Sequence, residues 1–444
     1  MNLRRARIGL LFSGESLVQR AVRGSALTIL GFGGMQAIRL ASNLILTRLL
    51  FPETFGLMTL IMVIIQGLNN FSDVGITPAI LQSKRGDDQT FLNTAYTMQA
   101  IRGVILWLGC CILAVPAARF YDVPELAWFL PVAATTTIIF GLLPTKEETA
   151  NRHLRMGRLT MVELASSAVT TILTIILAAI LGSAWALIIG LVTGALIKVA
   201  MVQWLMPGPT NRFQWDRDCA AELISFGKWI LPATVVGFVI SQGDKAVLAR
   251  LLSLTDLGIY NIAFFLASFP MMLGIALISR VMIPIYRSTA EDPTPHHMRR
   301  VRLMRIGMTG SFMLLLALLA TFGEGLVGLM YDDRYTAAGE LVTLIALAGI
   351  PALIGLSYDQ AALAAGDSRN FFWVTLVRAT LFLSLFTLGA WQAGIPGALA
   401  GQAMAAILAY PMLVRLARRH NVWDPWHDLG FAILGLILAA ALLV

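Results

Sequence analysis

Apolar runs long enough to cross a bilayer follow one another along almost the whole chain. About 20 such residues span the hydrocarbon core as one α-helix, and only helices and closed barrels satisfy their backbone polar groups there. The chain is 57% hydrophobic and 13% charged over 444 residues, with a mean hydropathy of +0.76, unlike a soluble domain. The sequence therefore predicts an all-α, polytopic membrane protein without a separate soluble domain.

Twelve of these runs predict about 12 transmembrane helices, separated by turns rich in Pro, Gly, Asp, Asn and Ser. The first six are predicted near residues 26–50, 55–81, 92–118, 126–144, 159–182 and 184–206. The second six are predicted near residues 223–252, 257–286, 301–322, 337–358, 371–390 and 395–416. The last run, 429–444, is barely long enough to cross and predicts either a short thirteenth helix or a re-entrant segment.

One short phrase occurs twice, as LTRLLFPETFGL at residues 46–57 and as LARLLSLTDLGI at residues 248–259. Its alignment pairs Arg48 with Arg250 and Gly56 with Gly258, each time at the turn between the first and second helix of a set of six. We interpret this as a tandem duplication that produces two parallel-repeat six-helix bundles around a central cavity. Similar composition at unrelated helix ends is the alternative.

With the two repeats placed, the sequence predicts that the chain divides into five segments. They are a basic N-terminal tail (1–24), an N-terminal six-helix bundle (25–206), a linker (207–222), a C-terminal six-helix bundle (223–418) and a basic segment with a short hydrophobic run (419–444). The first segment has no small-residue cleavage site, so it does not predict a signal peptide. An amphipathic helix on the inner leaflet is the alternative to a tail.

Lysine and arginine residues are concentrated in the loops of one side, which the positive-inside rule makes cytoplasmic. These residues are Arg4, Arg5, Arg7, Arg20, Arg23, Lys84, Arg85, Lys146, Arg152, Arg155, Arg158, Arg299, Arg300, Arg302 and Arg305. The N-terminus and the linker are therefore expected in the cytoplasm. This asymmetry accounts for the net charge of +8 without a nucleic-acid partner.

Polar and charged residues recur inside the predicted spans. Gln36, Arg39 and Asn43 share one face of the first helix, and Gln66, Asn69, Asn70 and Asp73 follow the second. Other charged residues lie on later helices: Arg102, Lys198, Asp244, Lys245, Arg280 and Arg378. Because charge at bilayer depth is costly and normally faces a cavity, these residues predict a net cationic cavity for an anionic substrate. The alternatives are structural pairs, Arg39 with Asp73 and Lys245 with Asp244, and an Arg280 that reaches the interface.

Motifs for metal or covalent chemistry are weak. Asp216 and Asp218 form a DxD pattern in a short linker, and His296 and His297 have no third ligand beside them in the sequence. The three cysteines have no CxxC or Cys/His spacing and are interpreted as reduced. We therefore predict no metal, no cofactor and no enzymatic activity.

Two blocks carry a family resemblance. The sequence NLILTRLLFPETFGLMTLIMVIIQGLNNFSDVGITPAILQ, residues 43–82, resembles the opening helices of Wzx-type polysaccharide flippases of the multidrug/oligosaccharidyl-lipid/polysaccharide exporter superfamily. Residues 226–286, with Asp244, LGIY at 257–260 and Pro284, are similar to a second recurrent block of that family. The resemblance covers the twelve-helix body and rests on short patterns in apolar sequence.

The resemblance implies transfer of undecaprenyl-pyrophosphate-linked oligosaccharide from the cytoplasmic to the periplasmic leaflet of the bacterial inner membrane, by alternating access. It also implies membrane lipids, a polysaccharide polymerase and export proteins as partners. A cationic cavity suits a pyrophosphate because Arg and Lys form charge-assisted hydrogen bonds with phosphate oxygens. A multidrug exporter is the alternative in the same superfamily. A glycan polymerase or ligase is disfavoured because the predicted outer loops are too short to carry a catalytic site.

The charge asymmetry places the turns after the first and seventh helices outside the cell membrane. Cysteines introduced at Thr54 and Asp256 should therefore react with an impermeant thiol reagent in cells whose outer barrier is removed. Protection of both cysteines would contradict the predicted orientation, whereas a cysteine at Arg155 should be protected and serves as the cytoplasmic control.

Overall fold

The structure is a computed structural model that describes residues 17–73, 75–227, 230–291 and 295–443. Within those ranges the chain forms sixteen α-helices and one 3-10 helix, with no strand. Hydrocarbon favours this outcome because a helix satisfies nearly all of its backbone hydrogen bonds within one segment. The all-α membrane fold predicted from the sequence is confirmed.

Ten helices of the described ranges lie before residue 252. They are α1 (Leu17–Leu49), α2 (Pro52–Phe71), α3 (Ile76–Gln82), α4 (Gln89–Tyr121), α5 (Leu126–Gly141), α6 (Lys146–Arg152), α7 (Met156–Leu181), α8 (Ala184–Leu205), α9 (Arg217–Gly227) and α10 (Leu231–Leu251). Six more follow: α11 (Leu254–Ala267), α12 (Phe269–Glu291), α13 (Pro295–Met330), α14 (Ala338–Ala364), α15 (Ser368–Arg419) and α16 (Pro425–Leu443). The 3-10 helix is Asp333–Tyr335.

Among the described residues, nine helices are long and apolar enough to cross a membrane, or up to eleven if two bent helix pairs are single spans. The exact number of 12 predicted from the sequence stays a prediction. The nine include α16, which has 19 residues. The final apolar run is therefore long enough to cross, since it starts at Pro425 rather than at residue 429.

The long helix α15 contains a sharp reversal. Ala393 and Gly394 have non-helical backbone angles, and Gly394 has φ 61° and ψ −143°, a region that only glycine adopts without strain. A Cβ on Gly389 would lie 2.0 Å from the carbonyl oxygen of Gly397. Eight residues of continuous helix would separate these positions by about 12 Å, so the chain turns back at Gly394. The predicted helices at 371–390 and 395–416 occupy the two arms of this hairpin.

Several helix bounds differ from the predicted segments. The span expected at 55–81 is interrupted, because α2 ends at Phe71 and α3 begins after Gly75, whose φ of 63° is left-handed. The expected tail 1–24 is helical from Leu17, in a stretch without proline or glycine up to Arg23. Part of the expected linker forms α9, because the Asp216 carboxylate caps this helix by accepting a hydrogen bond from the Cys219 amide.

That amide hydrogen bond also lowers the pKa of the half-buried Asp216 carboxyl. The first carboxylate of the DxD pattern, that of Asp216, therefore caps a helix. Residues Arg4, Arg5 and Arg7, and the side chains of Arg20, Arg23, His296 and His297, lie outside the described part of the structure.

The chain divides into two compact units. The first comprises the chain up to Leu50 and Ile61–Val235, and the second comprises Phe51–Leu60 and Val236–Val444. These units differ from the bundles predicted at 25–206 and 223–418, because the start of α2 packs with the second unit and α9 packs on α3 and α4 of the first. The assignment of the units to two duplicated bundles stays a prediction.

Helix pairs organise the first unit. α4 packs along α5, α7 packs along α8, and α1 packs on α7. Small residues allow close approach, because a Cβ at Gly190 or Gly194 of α8 would lie within 2.4 Å of a threonine side chain of α7. Small residues separated by three positions are typical of packed membrane helices.

α14 lies at the centre of the second unit, where it contacts α11, α12, α13, α15 and α16. A buried polar cluster holds α16 against it. The Asp428 carboxylate accepts hydrogen bonds from Tyr358 Oη at 2.8 Å, Tyr410 Oη at 2.5 Å and His427 Nδ1 at 2.7 Å. The other imidazole nitrogen of His427 lies 3.0 Å from Thr309 Oγ1. Four helices are thereby joined through two adjacent residues.

The repeated phrase has a structural explanation within the second unit. The first turns of α2 and α11 touch, since a Cβ on Gly56 would lie 1.9 Å from the Leu254 carbonyl oxygen and a Cβ on Gly258 would lie 2.0 Å from that of Pro52. Thr255 Oγ1 donates a hydrogen bond to Glu53 Oε1 at 3.0 Å beside this contact. Each copy therefore has a glycine where the backbone of the other copy approaches.

This contact predicts that Gly258→Ala destabilises the protein. The added methyl group has no space, and overpacking typically costs about 1–3 kcal/mol. The midpoint of thermal unfolding of the detergent-solubilised chain should fall. Gly328→Ala in α13 is the control, because no other group lies within 4 Å of its Cβ position. Equal midpoints for the two variants would show that the two helix ends do not touch.

Candidate functional site

A cavity of about 440 Å³ lies within the first unit, between α2, α3, α4, α5 and α6. Its polar lining residues are Gln66, Asn69, Asp73, Thr77, Gln99, Arg102, Thr136, Thr137 and Glu148. Gln66 and Thr77 are exposed, so the cavity is open to the surface. Three residues predicted from the polar stripe of the second span, Gln66, Asn69 and Asp73, lie here together. Asn70 faces elsewhere, and its carbonyl accepts a hydrogen bond from Thr234 Oγ1 at 2.9 Å.

The break between α2 and α3 brings the polar residues into this cavity. The Asp73 carboxylate accepts a hydrogen bond from the Gly75 amide at 2.8 Å, which supports the left-handed turn. Arg102 of α4 donates to the carbonyl oxygens of Ser72, at 2.9 Å, and Asn69, at 2.6 Å. A guanidinium group suits this place because the last carbonyls of a helix lack intrahelical donors and carry partial negative charge.

Two acidic residues at the start of α6 were missed by the sequence analysis. Glu148 is buried, and its Oε1 accepts a hydrogen bond from Thr77 Oγ1 at 3.4 Å. Glu147 Oε1 lies 3.3 Å from Lys198 Nζ, so this predicted cation has a carboxylate partner. The signal that could have identified them is a pair of acids three and four residues after Pro144, at the end of an apolar run. The charged lining of the cavity is therefore Arg102, Asp73 and Glu148, which is not a cationic excess.

The predicted residues of the first helix lie apart from the lining of this cavity. Arg39 is exposed, and its NH1 lies 3.4 Å from Gln36 Oε1 one turn earlier. Asn43 is half-buried on the same helix. Their role in a central cavity stays a prediction.

On α10 of the second unit, Asp244 and Lys245 are both buried but have different partners. The Asp244 carboxylate accepts a hydrogen bond from Tyr260 Oη at 2.9 Å. Lys245 Nζ lies 4.2 Å from the centre of the Phe264 ring and 3.5 Å from Gln242 Oε1. An ammonium group over an aromatic face is stabilised by the ring quadrupole. Both partners, Tyr260 and Phe264, belong to α11.

The last two predicted cations differ in burial. Arg378 of α15 forms an ion pair with Asp359 of α14, with NH1 and Oδ2 2.7 Å apart. The other carboxylate oxygen, Asp359 Oδ1, is buried and accepts no hydrogen bond from the described residues. Arg280 of α12 is exposed.

Beside the cavity of the first unit, the end of α6 is bonded to the end of α3 and the loop after it. Arg152, at the end of α6, donates to the carbonyl oxygens of Ile80 and Ser83 at 2.8 and 2.9 Å and forms an ion pair with Asp87 at 3.1 Å. Partial burial would raise the pKa of the Asp87 carboxyl, but bonds with His153 and Arg152 outweigh it and lower that pKa. The stabilisation from ionised Asp87 is therefore present at neutral pH and lost in acid.

In the described part of the chain, nine or more helices long and apolar enough to span a membrane, a polar cavity at helix breaks and charged residues within the spans are typical of a polytopic membrane protein of the transporter class. The family model described as "Polysaccharide biosynthesis protein" matches residues 45–340. The chain belongs to this family. The resemblance to Wzx-type flippases of the multidrug/oligosaccharidyl-lipid/polysaccharide exporter superfamily, stated from the sequence, is thereby confirmed.

Two relatives illustrate the match. The chain is 22% identical over 413 residues to the lipopolysaccharide biosynthesis protein WzxC of Escherichia coli, covering 90% of this chain and 82% of that protein. It is 23% identical over 387 residues to the succinoglycan biosynthesis transport protein ExoT of Rhizobium meliloti, covering 84% and 74% of the two chains.

Two solved structures show the same fold. The lipid II flippase MurJ in an inward closed conformation superposes with a TM-score of 0.70 at 11% identity, covering 94% of this chain and 91% of that one. An inward-facing multidrug resistance MATE family transporter gives a TM-score of 0.65 at 14% identity, covering 87% and 95%. At these identities the likeness concerns the fold alone.

The buried ion pair predicts that Arg378→Gln lowers the amount of folded protein. Removal of one partner leaves Asp359 buried without a cation, which typically costs about 3–5 kcal/mol. Adding Asp359→Asn should restore most of the folded yield, measured by size-exclusion chromatography in detergent. Arg280→Gln is the exposed control and should leave the yield unchanged. A fully stable Arg378→Gln single variant would contradict a structural role for the pair.

Proposed function

We propose that this protein is a secondary transporter that moves oligosaccharide units linked to undecaprenyl pyrophosphate from the cytoplasmic to the periplasmic leaflet. It would act by alternating access and supply units for surface or exopolysaccharide biosynthesis. The family match over residues 45–340 carries this proposal. The fold shared with a lipid II flippase supports it.

The diphosphate of such a substrate provides an anionic group that cations on the spans can recognise. Arg39 lies on the first helix of the first predicted repeat and Lys245 on the first helix of the second. Two cations can hold a diphosphate, each charged hydrogen bond contributing about 1.5–3 kcal/mol. The remaining candidates for this role are Arg102, Lys198, Arg280 and Arg378, of which Lys198 and Arg378 already have carboxylate partners.

We place the protein in the bacterial inner membrane with its N-terminus in the cytoplasm, because the basic loops lie on that side of the predicted topology. Its proposed partners are the lipid carrier, membrane lipids, and a polymerase and export proteins that consume the translocated unit. The protein itself would make no covalent bond.

A multidrug-type exporter of cations is the second candidate function. The cavity of the first unit favours it, since two carboxyl groups and one guanidinium group line that cavity. Carboxylates bind organic cations and would repel a diphosphate. The family match favours the lipid-linked oligosaccharide, and the two functions have different phenotypes.

Deletion of this chain from the bacterium that encodes it separates the two functions. We expect loss of a surface polysaccharide and accumulation of its lipid-linked unit on the cytoplasmic leaflet, detected by leaflet-selective labelling. Normal polysaccharide together with increased sensitivity to cationic compounds would replace the proposal with the exporter function.

Charge deletion at Arg39 should reduce transport more than a charge-keeping change. Arg39→Lys should retain more flipping per folded molecule than Arg39→Gln, although loss of the planar guanidinium makes the lysine variant weaker than the native chain. Lys245→Gln should also reduce flipping. Lipid-linked oligosaccharide transferred per folded molecule is the measured quantity. If Arg39→Gln and Lys245→Gln both retain native transport, neither residue binds the pyrophosphate.

A further inference from the structure

Glu148 is an unusual carboxyl group for the wall of a membrane cavity. The residue is only 9% exposed, and its Oε2 is buried without a hydrogen-bond donor among the described residues. Its other oxygen has a single long hydrogen bond, from Thr77 Oγ1 at 3.4 Å. An ionised carboxylate with one oxygen unsatisfied in a poorly hydrated place is costly, and such groups take up a proton or a cation instead.

The surrounding charges increase this cost. α6 packs against α3, α7 and α8. The acid that acts on Glu148 is its neighbour Glu147. Glu163 of α7 acts on Glu147 and Lys198, and Asp73 lines the same cavity as Glu148. The cations are Lys198 of α8, which is paired with Glu147, and Arg102, which donates to the end of α2. Lys146 donates to the Gln203 carbonyl at 2.7 Å, and Arg152 is paired with Asp87.

These contacts leave Glu148 without a cation of its own. Glu147 is the carboxyl group that repels Glu148, and the Lys198 ammonium group that attracts Glu148 is already paired with Glu147. Adjacent carboxyls cannot both ionise cheaply when they are desolvated, so one of them takes up a proton. Glu148 is the one without an ion-pair partner.

We propose that Glu148 is a proton-binding site through which proton movement drives the transport step. In the ionised state Glu148 Oε1 accepts the Thr77 hydroxyl hydrogen bond. Protonation at Oε2 adds an O–H donor, neutralises the charge and removes the repulsion from Glu147. A proton from water binds on one side and returns to water on the other, so no further reactant is needed. The link to transport rests on the proposed flippase function, whereas the proton site itself does not.

A proton fits this site better than a metal ion. The described residues contain no group of three or more His, Cys, Asp or Glu side chains that could hold a metal. Around Glu148 the near donors are one hydroxyl group and the unpartnered carboxylate oxygen itself. Thr77 and Glu148 lie on α3 and α6, which pack together beside the broken second span, so a change in their hydrogen bond acts at a point where the backbone is already interrupted.

Difference infrared spectroscopy of the full chain in lipid vesicles tests the site directly. Spectra at mildly acidic and mildly alkaline pH should differ by the carbonyl band of a protonated carboxylic acid. Glu148→Gln should lose that band, and Glu53→Gln, at an exposed position on the start of α2, should retain it. Persistence of the band in Glu148→Gln, its loss only in Glu147→Gln, or a response to sodium instead of pH would overturn the proposal.

A second experiment measures transport in the same vesicles, with a fluorescent lipid-linked oligosaccharide and an imposed pH gradient. The native chain should flip the lipid faster with the gradient, and Glu148→Gln should lose this dependence. Glu53→Gln, on the start of α2 and far along the helix from the cavity, is the matched control and should keep it. If the rate of flipping by the native chain does not depend on the pH gradient, the proposed coupling is wrong. Absence of flipping with an intact infrared band would refute the flippase function and leave the proton site in place.

Discussion

The need to satisfy polar groups in hydrocarbon is the constraint on which this structure depends. Continuous helices satisfy their own backbone, so the described chain is helical almost throughout. Interruptions need replacements for the lost hydrogen bonds. At the break after α2, Arg102 donates to the exposed carbonyl oxygens, and the Asp73 carboxylate accepts the Gly75 amide. The same groups line the cavity of the first unit. Helix interruption and cavity polarity therefore have one physical cause.

Several buried charged side chains among the described residues follow the same rule, because each has a compensating group. Arg378 is paired with Asp359, Asp244 accepts from Tyr260, and Asp428 accepts from two tyrosines and a histidine. Glu147 and Glu148 of the first unit each have one buried oxygen that no described residue satisfies, but Glu147 forms an ion pair with Lys198. Glu148 departs from the pattern because its other oxygen has the Thr77 hydroxyl group as its partner. Native membrane proteins retain such costly groups mainly where they have a function. A transporter that must bind an anion and take energy from an ion gradient has uses for both the paired cations and the unpaired acid.

Much of the helical fold could be predicted from the sequence, because span length and apolarity act over many residues. The helix breaks could not be placed as well: α2 ends at Phe71 and Gly75 caps the start of α3 in a left-handed conformation, yet nothing in the apolar pattern distinguishes this glycine from glycines inside helices. The repeated glycines were recognised as a pattern, but their reason, a mutual backbone contact of Gly56 and Gly258, needs the tertiary structure. The stripe Gln66, Asn69 and Asp73 did indicate cavity-lining residues, whereas Glu148 was missed because an acidic pair after an apolar run normally marks a solvated loop.

Transfer of a lipid-linked oligosaccharide between leaflets by the purified chain is the central claim. Vesicles containing only this protein and a fluorescent undecaprenyl-pyrophosphate oligosaccharide, challenged with an impermeant quencher, measure it directly. We predict that the inner-leaflet fluorescence becomes accessible to the quencher in vesicles with the protein and stays protected in vesicles without it. Inner-leaflet fluorescence that stays protected in the presence of correctly folded protein would contradict the account.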